Sequence, residues 1–406
     1  VDEFYNYFMS DSMFGNGGVA FGVPPFQFSP IFQLHTKYQQ ETTSKAAFLH
    51  AEYNITPKFR FTGGVRYTDE KRSWSGCTFD AGEGSLSGFL NFAFGTTLAP
   101  GECGTIDDDP ASPNYIFGVI GGPNVNDAFH VYNETIHAKK WMYKIGADYR
   151  LTDDVLAYAM YSHGFKSGGF NGANANTTQQ LHSYKPEELD SYEIGLKSTL
   201  ANGSMQLNLA GFYYDYTDKQ EQDLAVTFVG NISGLTNVPK SRIFGAEADV
   251  QWAPAEGLFI NVGAAWLDTK VLEWQAVSDT SVWPTVVTFD ASGIELAQSP
   301  KWQVNGGFDY EWALNQGLKM RIGSDANYKG STSGGARGIV DATDSYIVVN
   351  LRAGIGAEDD RWRLTVWSRN LFDEYYFPAA YQGGNGPWVR SVGMPRTIGA
   401  TLDYNF

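Results

Sequence analysis

The stretch KWQVNGGFDYEW (301–312) alternates strictly in polarity. Trp302, Val304, Phe308, Tyr310 and Trp312 fall on one side of an extended chain, and Gln303, Asn305, Asp309 and Glu311 on the other. LKMRIGSDANYK (318–329) repeats this, setting Leu318, Met320, Ile322, Ala326 and Tyr328 against Lys319, Arg321, Asp325, Asn327 and Lys329. Similar segments occupy roughly 45–55, 59–71, 135–151, 155–167, 189–200, 204–218, 241–252, 258–271, 344–356 and 362–370. The chain closes on RTIGATLDYNF, with Ile398, Ala400, Leu402, Tyr404 and Phe406 on one face. These make about thirteen strands of roughly 9 to 15 residues. Globular strands average about 5 to 6 residues, whereas a tilted strand crossing a bilayer needs about 9 to 11.

The connections sort into two kinds. TPK (56–58), TDD (152–154), ANG (201–203), APAEG (253–257), NQG (315–317) and AEDDR (357–361) read as tight hairpins. Between them lie long segments, roughly 73–134, 168–188, 219–240, 272–299, 331–343 and 371–395, rich in Gly, Asn, Ser, Asp and aromatic residues. Short turns at one end and long loops at the other is the asymmetry of outer-membrane barrels, and a propeller or sandwich would not sort its connections so. Trp252, Trp302, Trp312, Trp362 and Tyr404 at strand ends fit interfacial aromatic girdles. The sequence therefore predicts an all-β, antiparallel transmembrane barrel. With 29 basic against 45 acidic residues and a net charge of -16, there is no basic stripe for nucleic acid. No run of about eighteen apolar residues forms a membrane helix, which leaves a barrel open because its strands are half polar.

The first residues, VDEFYNYFMSDSMFGNGG, show no basic segment followed by an apolar one, so no signal peptide is visible. The strand count is odd where single-chain bacterial barrels use an even number, and an open first strand would leave unpaired backbone groups in lipid. Upstream sequence is therefore expected, with residues 1–37 forming an external loop region and 38–406 a C-terminal portion of the barrel. Cys77 and Cys103 lie in one Gly- and Asp-rich stretch without strand pattern, and a disulfide across it is preferred to two free thiols. It implies an oxidising compartment. No G-x-S-x-G, phosphate loop or HExxH occurs, so the sequence gives no sign of an enzyme.

Five stretches then carry a family resemblance. FRFTGGVRYTDEKRSW (59–74), YSHGFKSGGFNG (161–172) with YKPEELDSYEIGLKSTL (184–200), LNLAGFYYDYTDKQ (207–220), RNLFDEYYFPAAY (369–381) and GMPRTIGATLDYNF (393–406) together resemble the C-terminal barrel region of TonB-dependent outer-membrane receptors. The resemblance implies a barrel of about 22 strands filled by an N-terminal plug, with ligand captured by external loops and uptake driven by the inner-membrane TonB complex through a short N-terminal segment. Plug, that segment and the first strands have no counterpart in this sequence. The expected function is import of a scarce, large solute across the outer membrane, foremost a ferric siderophore. Glycans or another nutrient, a passive porin-like channel, and a structural or adhesive surface barrel are the competitors. No cofactor is expected beyond an iron complex as ligand.

By alternation Glu193, Lys197, Glu247, Asp249, Lys319, Arg321, Arg352, Arg363 and Arg369 face inward, because a basic residue in mid-bilayer costs about 2 to 4 kcal/mol. Given the resemblance, contact with a plug is expected of them, against a merely hydrated wall. Tyr375, Tyr376, Phe377, Tyr381, Trp388 and Arg390 are the loop residues suited to ligand, since aromatic faces with a few polar groups suit sugars, catecholates or other flat solutes. His50 faces inward and His163 lies near the outer end of a strand, but no spacing joins them into a metal site. DDDP (107–110) reads as a solvated acidic loop sooner than a calcium site. Ile398, Leu402, Tyr404 and Phe406 resemble the C-terminal signal read by the barrel-assembly machinery.

Overall fold

The structure is a computed structural model that describes residues 2–8, 31–80, 84–172, 176–228, 230–315, 317–336, 342–382 and 388–405, without the side chains of 2–8, 31–34, 85, 230, 232, 381, 382 and 388. Phe406 lies outside the described residues, as do the side chains of Tyr381 and Trp388.

A single antiparallel sheet of 14 strands runs through the chain. In order these are β1 (Asp2–Phe8), β2 (Ile31–Asn54), β3 (Phe59–Asp80), β4 (Tyr132–Thr152), β5 (Val155–Lys166), β6 (Glu187–Leu200), β7 (Met205–Thr227), β8 (Gly230–Ala255) and β9 (Leu258–Glu273). After a small hairpin of β10 (Gln275–Val277) and β11 (Thr288–Asp290), the sheet resumes with β12 (Trp302–Asn315), β13 (Leu318–Lys329), β14 (Tyr346–Ala357) and β15 (Trp362–Arg369). It ends, past a second hairpin of β16 (Ala379–Gln382) and β17 (Trp388–Ser391), with β18 (Thr397–Tyr404). Each large strand pairs with the next in sequence, and both small hairpins belong to loops. Among the described residues β1 pairs with the outer part of β2 alone, Asp2 opposite Lys37 and Phe8 opposite Ile31, so the 1–37 region contains paired strand. Thirteen strands of the 14 remain to share the long alternation. Among the described residues β18 pairs with β15 alone, and no pairing closes the sheet.

Register fixes two faces, because directly paired residues share a side. Leu49, Val65 and Tyr143 form one outward row, and Ala353, Val366 and Ala400 another. This face is apolar yet exposed, with Trp302 at 50%, Ile398 at 70% and Leu402 at 68%. A soluble sheet so greasy would need a second layer, and none covers it among the described residues. Trp252, Trp302, Trp312, Trp362 and Tyr404 all stand here: Trp302 at the loop end beside Trp266, the others toward the turns, where Trp362 is opposite Tyr404. The opposite face is polar.

The buried apolar core lies in the loops and the outer strand ends beside them. Leu86, Leu90, Phe94, Ile106, Ile116 and Phe129 pack together, and Phe228 from the β7–β8 tip and Trp283 from the β9–β12 connection join them. A second cluster holds Val238, Val271, Trp274, Ala276, Ala291 and Leu296. The 219–240 segment, expected as a loop, is instead a long hairpin in which β7 and β8 stay paired out to Thr227 and Gly230. β3 likewise continues to Asp80, so Cys77 lies on a strand and not in irregular chain. Beyond the apolar band these strands are wetted or loop-covered on both faces, and their alternation disappears from the sequence. A disulfide joins Cys77 to Cys103 across 26 residues with Cα atoms 5.9 Å apart, tying the 81–131 loop to β3. Changing both cysteines to alanine should loosen that loop by about 3 to 4 kcal/mol on the chain-entropy account. Hydrogen exchange should rise across 84–130 and stay unchanged in β12–β15; equal loop protection in both proteins would contradict the tie.

Candidate functional site

Beside the Glu52–Arg60–Asp148 ion pairs on β2–β4, two further groups of charged residues occupy the polar face. On β5–β9 and β12, Tyr158 donates to Glu193 at 2.6 Å and Lys197 sits 5.6 Å from the same ring. Lys197, Asn208, Glu247, Asp249 and Asn305 line a depression of about 290 Å³ with it. On β12–β15, Asp309 accepts from Arg321 Nε at 3.0 Å and from Arg352 Nε at 3.1 Å and Nη2 at 2.6 Å. Arg352 also donates to Asp325 at 3.0 Å. Gly323, between Asp309 and Arg352 in register, makes room, since a Cβ there would lie 2.6 Å from the Asp309 carboxylate and 2.7 Å from Arg352 Nε. Lys319 bridges Glu311 and Asp360, and Arg363 also pairs with Asp360. Register puts all nine residues named from alternation on this one face; Arg369 lies 5.1 Å over the Trp367 ring. His50 shares it, with its ring 3.5 Å from Glu52, whereas His163 stands on the opposite face, stacked on Tyr143 and bonded to Asp190.

The long segments from 73–134 to 331–343 are linked to one another over the loop end of the sheet, and the acidic run at 107–109 joins three of them. Asp107 and Asp108 are buried, which corrects the expectation of a solvated loop. Asp107 accepts from Ser112 Oγ at 2.5 Å and from the Asp109 amide. Asp108 accepts from the Gln179 amide at 2.9 Å, from Thr178 Oγ1 at 3.3 Å and from Trp283 Nε1 at 3.0 Å. Burial pushes the Asp108 carboxyl above its ordinary range, and these donors pull against that shift. The run thus ties together three loops 70 to 175 residues apart in sequence. Its carboxylates are spent on the chain's own donors, and no cluster of His, Cys, Asp and Glu suited to a metal occurs among the described residues. A second tie joins the β5–β6 loop to the β7–β8 hairpin. Gln220 Nε2 donates to the Ser167 and Lys185 carbonyls, and Asn171 exchanges two bonds with the Leu235 backbone.

The loop aromatics divide. Tyr375 is 72% exposed and meets Phe377 edge-on at 5.2 Å, and Arg390 lies 5.2 Å over the same Phe377 ring. Tyr376 instead packs on Tyr346 at 4.4 Å and covers Gly393. In backbone, Tyr381 and Trp388 belong to the β16–β17 hairpin, opposite Val389 and Gln382. Buried Asn370, at φ +48°, holds this loop to the sheet by donating to the Glu374 and Met394 carbonyls. Sequence reasoning named the acidic run but missed Gln179 and Trp283, the partners of Asp108, because they are remote in the chain.

A sheet with one bare apolar face and one charged face, tight turns below and an interlocked loop cap above, defines a barrel wall of the outer-membrane kind. The family model described as "TonB dependent receptor-like, beta-barrel" matches residues 2–371, and the chain belongs to that family. It is 24% identical over 263 residues to the metal-pseudopaline receptor of Pseudomonas aeruginosa, covering 65% of this chain and 33% of that protein. It is 23% identical over 402 residues to the ferric aerobactin receptor of Klebsiella pneumoniae, covering 95% and 47%. The crystal structure of the ferric yersiniabactin uptake receptor from Yersinia pestis superposes with a TM-score of 0.66 at 18% identity, over 92% of this chain and 47% of that one. The chain therefore spans half or less of the length of these relatives.

Proposed function

We propose that this chain is the C-terminal barrel portion of an outer-membrane receptor that imports a large metal chelate, foremost a ferric siderophore. The observation that carries the reading is the interlocked loop cap standing over a charged barrel face, on a chain of this family. A passive pore would be served by an open mouth, and a surface adhesin has no need of a charged wall. The three relatives named above bear names of ferric or metal-chelate receptors, which favours such a solute over glycans. Under this reading the apolar face meets lipid, the polar face meets a plug, the loops and residues 1–37 lie outside the cell, and the TonB complex supplies the energy. Residues Ile398, Leu402, Tyr404 and Phe406 serve the assembly machinery.

Purified full-length protein should quench on titration with a panel of ferric siderophores, and its deletion should slow growth under iron limitation with those siderophores as sole iron source. Binding of none of them, with growth unchanged, would overturn the metal-chelate reading. The cation held over Phe377 suits the anionic, flat edge of such a chelate. Arg390→Ala should then weaken binding about tenfold, close to 1.4 kcal/mol, while leaving the folded yield unchanged.

A further inference from the structure

Beyond the Tyr143–His163 pair the ladder between β4 and β5 stops, although β4 runs on to Tyr132 and β5 to Lys166. Over 132–142, β4 keeps β3 on one side, with Gly76 opposite Tyr132, and has no strand on the other among the described residues. The two arms of the β5–β6 loop stand there instead, joined to each other by the Gly169–Tyr184 bridge. Between β4 and these arms lies a cavity of about 200 Å³, whose walls include Glu70, Arg72, Ala138, Ser167, Tyr184 and Lys185. It shares no residue with the Tyr375, Phe377 and Arg390 group.

The polar groups around this cavity are donors that lack acceptors. Register puts Arg72 on the polar face of β3 opposite Ile136, and its side chain reaches across β4, since a Cβ built at Gly169 would lie 3.1 Å from Arg72 Nη1. Arg72 Nη2 donates to Glu70 at 3.0 Å, but Nε is buried with no acceptor. Buried polar groups are almost always paired, so a guanidinium N–H left open marks where an acceptor belongs. The Ser167 and Tyr184 hydroxyls make no hydrogen bond among the described residues either. Lys185 keeps 72% of its side chain open, with Asp218 3.7 Å away. Against these donors stands one carboxylate of the cavity wall, Glu70, which Arg72 already engages.

We propose that this cavity is a subsite for a free carboxylate of the imported solute, with Arg72 as its cationic anchor. This rests on the receptor reading above and narrows it to a chelate that carries carboxylate beyond the oxygens bound to metal. Two cations and two hydroxyls facing one small space suit an anionic oxygen and reject a cation or an amine. Guanidinium and carboxylate form short, charge-assisted hydrogen bonds, and the open Arg72 Nε supplies one. The open side of β4 lies at the loop end of the sheet, so a solute held beneath the cap reaches the site. A tris-catecholate chelate, with its oxygens on the metal, has nothing to place there.

The test uses the full-length protein in detergent, with Arg72→Gln, Arg72→Lys and Lys185→Ala variants. Tryptophan quenching is followed on titration with ferric citrate, ferric aerobactin, ferric enterobactin as the tris-catecholate, and inorganic phosphate as competitor. The parent should bind at least one carboxylate chelate, and Arg72→Gln should weaken that binding about tenfold or more. Arg72→Lys, which keeps the charge but not the fork, should recover part of the loss. Lys185→Ala, at an exposed position, should show a smaller loss of the same selectivity and carries the test if the Arg72 variants do not assemble. Equal binding of the carboxylate chelates by parent and variants, an equal loss for ferric enterobactin, or displacement by phosphate alone would overturn the subsite. Binding of ferric enterobactin only would also overturn it while leaving the receptor reading intact, whereas binding of no ferric chelate would refute that reading itself.

Discussion

Gly257→Val is expected to abolish assembly of the barrel wall. Gly257 turns the chain from β8 into β9 at φ +74°, a conformation that strains any residue with a Cβ and a β-branched one most. Space is the larger obstacle: a Cβ built there would lie 1.9 Å from the Glu311 carbonyl oxygen on the neighbouring β12. That backbone cannot retreat, because the Glu311 amide donates to the Gly257 carbonyl at 2.9 Å and the flanking pair Leu258–Tyr310 is in register. Strain and overlap together cost about 3 kcal/mol or more, and they fall on a hairpin end that sets the register of two strands. The folded, heat-modifiable form on gel electrophoresis should vanish. Gly203→Asn, in the β6–β7 turn at φ +91° with nothing within 4 Å, bears backbone strain without overlap. It should assemble with a loss of about 1 kcal/mol. Equal assembly of both variants would show that the close approach to β12 is not needed.

The contrast between these two glycines shows where sequence reading stops. ANG and APAEG both announce a turn, since glycine in a short polar link is a local signal. That only one of them lies against a third strand is a fact of the sheet, set by pairing between β9 and β12 across the β10–β11 excursion. The alternation itself was legible because lipid and lumen impose opposite demands on successive residues; Trp302 to Trp312 needed no neighbour to be read. Where both faces are wetted or covered the demand lapses, and the outer halves of β7 and β8 looked like loop. The nine polar-face charges could be named from parity, but the pairing of Asp309 with Arg321 and Arg352 could not, because it needs three strands in register and a glycine gap at Gly323.

The acidic run is the sharper case, and Asp108→Ala should release the loop cap. Three consecutive aspartates read locally as solvated charge, yet Asp108 is 6% exposed and holds donors from two other loops. Truncation takes the acceptor from the half-buried Trp283 indole N–H and from the Gln179 backbone amide, at up to about 1 to 3 kcal/mol each. Removing a buried charge returns part of this, so the cap should weaken by about 2 to 4 kcal/mol near neutral pH. Protease sensitivity should rise at 104–130 and 176–181 together, with a shift in Trp283 fluorescence, while the strands keep their protection. The pH dependence has a definite sign. Burial raises the folded-state value of Asp108 above 3.8, so its favourable contribution is complete below the ordinary carboxylate range and is lost as pH rises through the raised value. The parent cap should therefore be more protected at mildly acid pH than at neutral pH. Asp108→Asn, which cannot ionise and sets one amide donor against a facing N–H, should be weaker than the parent in acid and flat across the same range. A parent and an Asn variant with parallel pH profiles would mean that Asp108 is not the titrating group that holds the loops together.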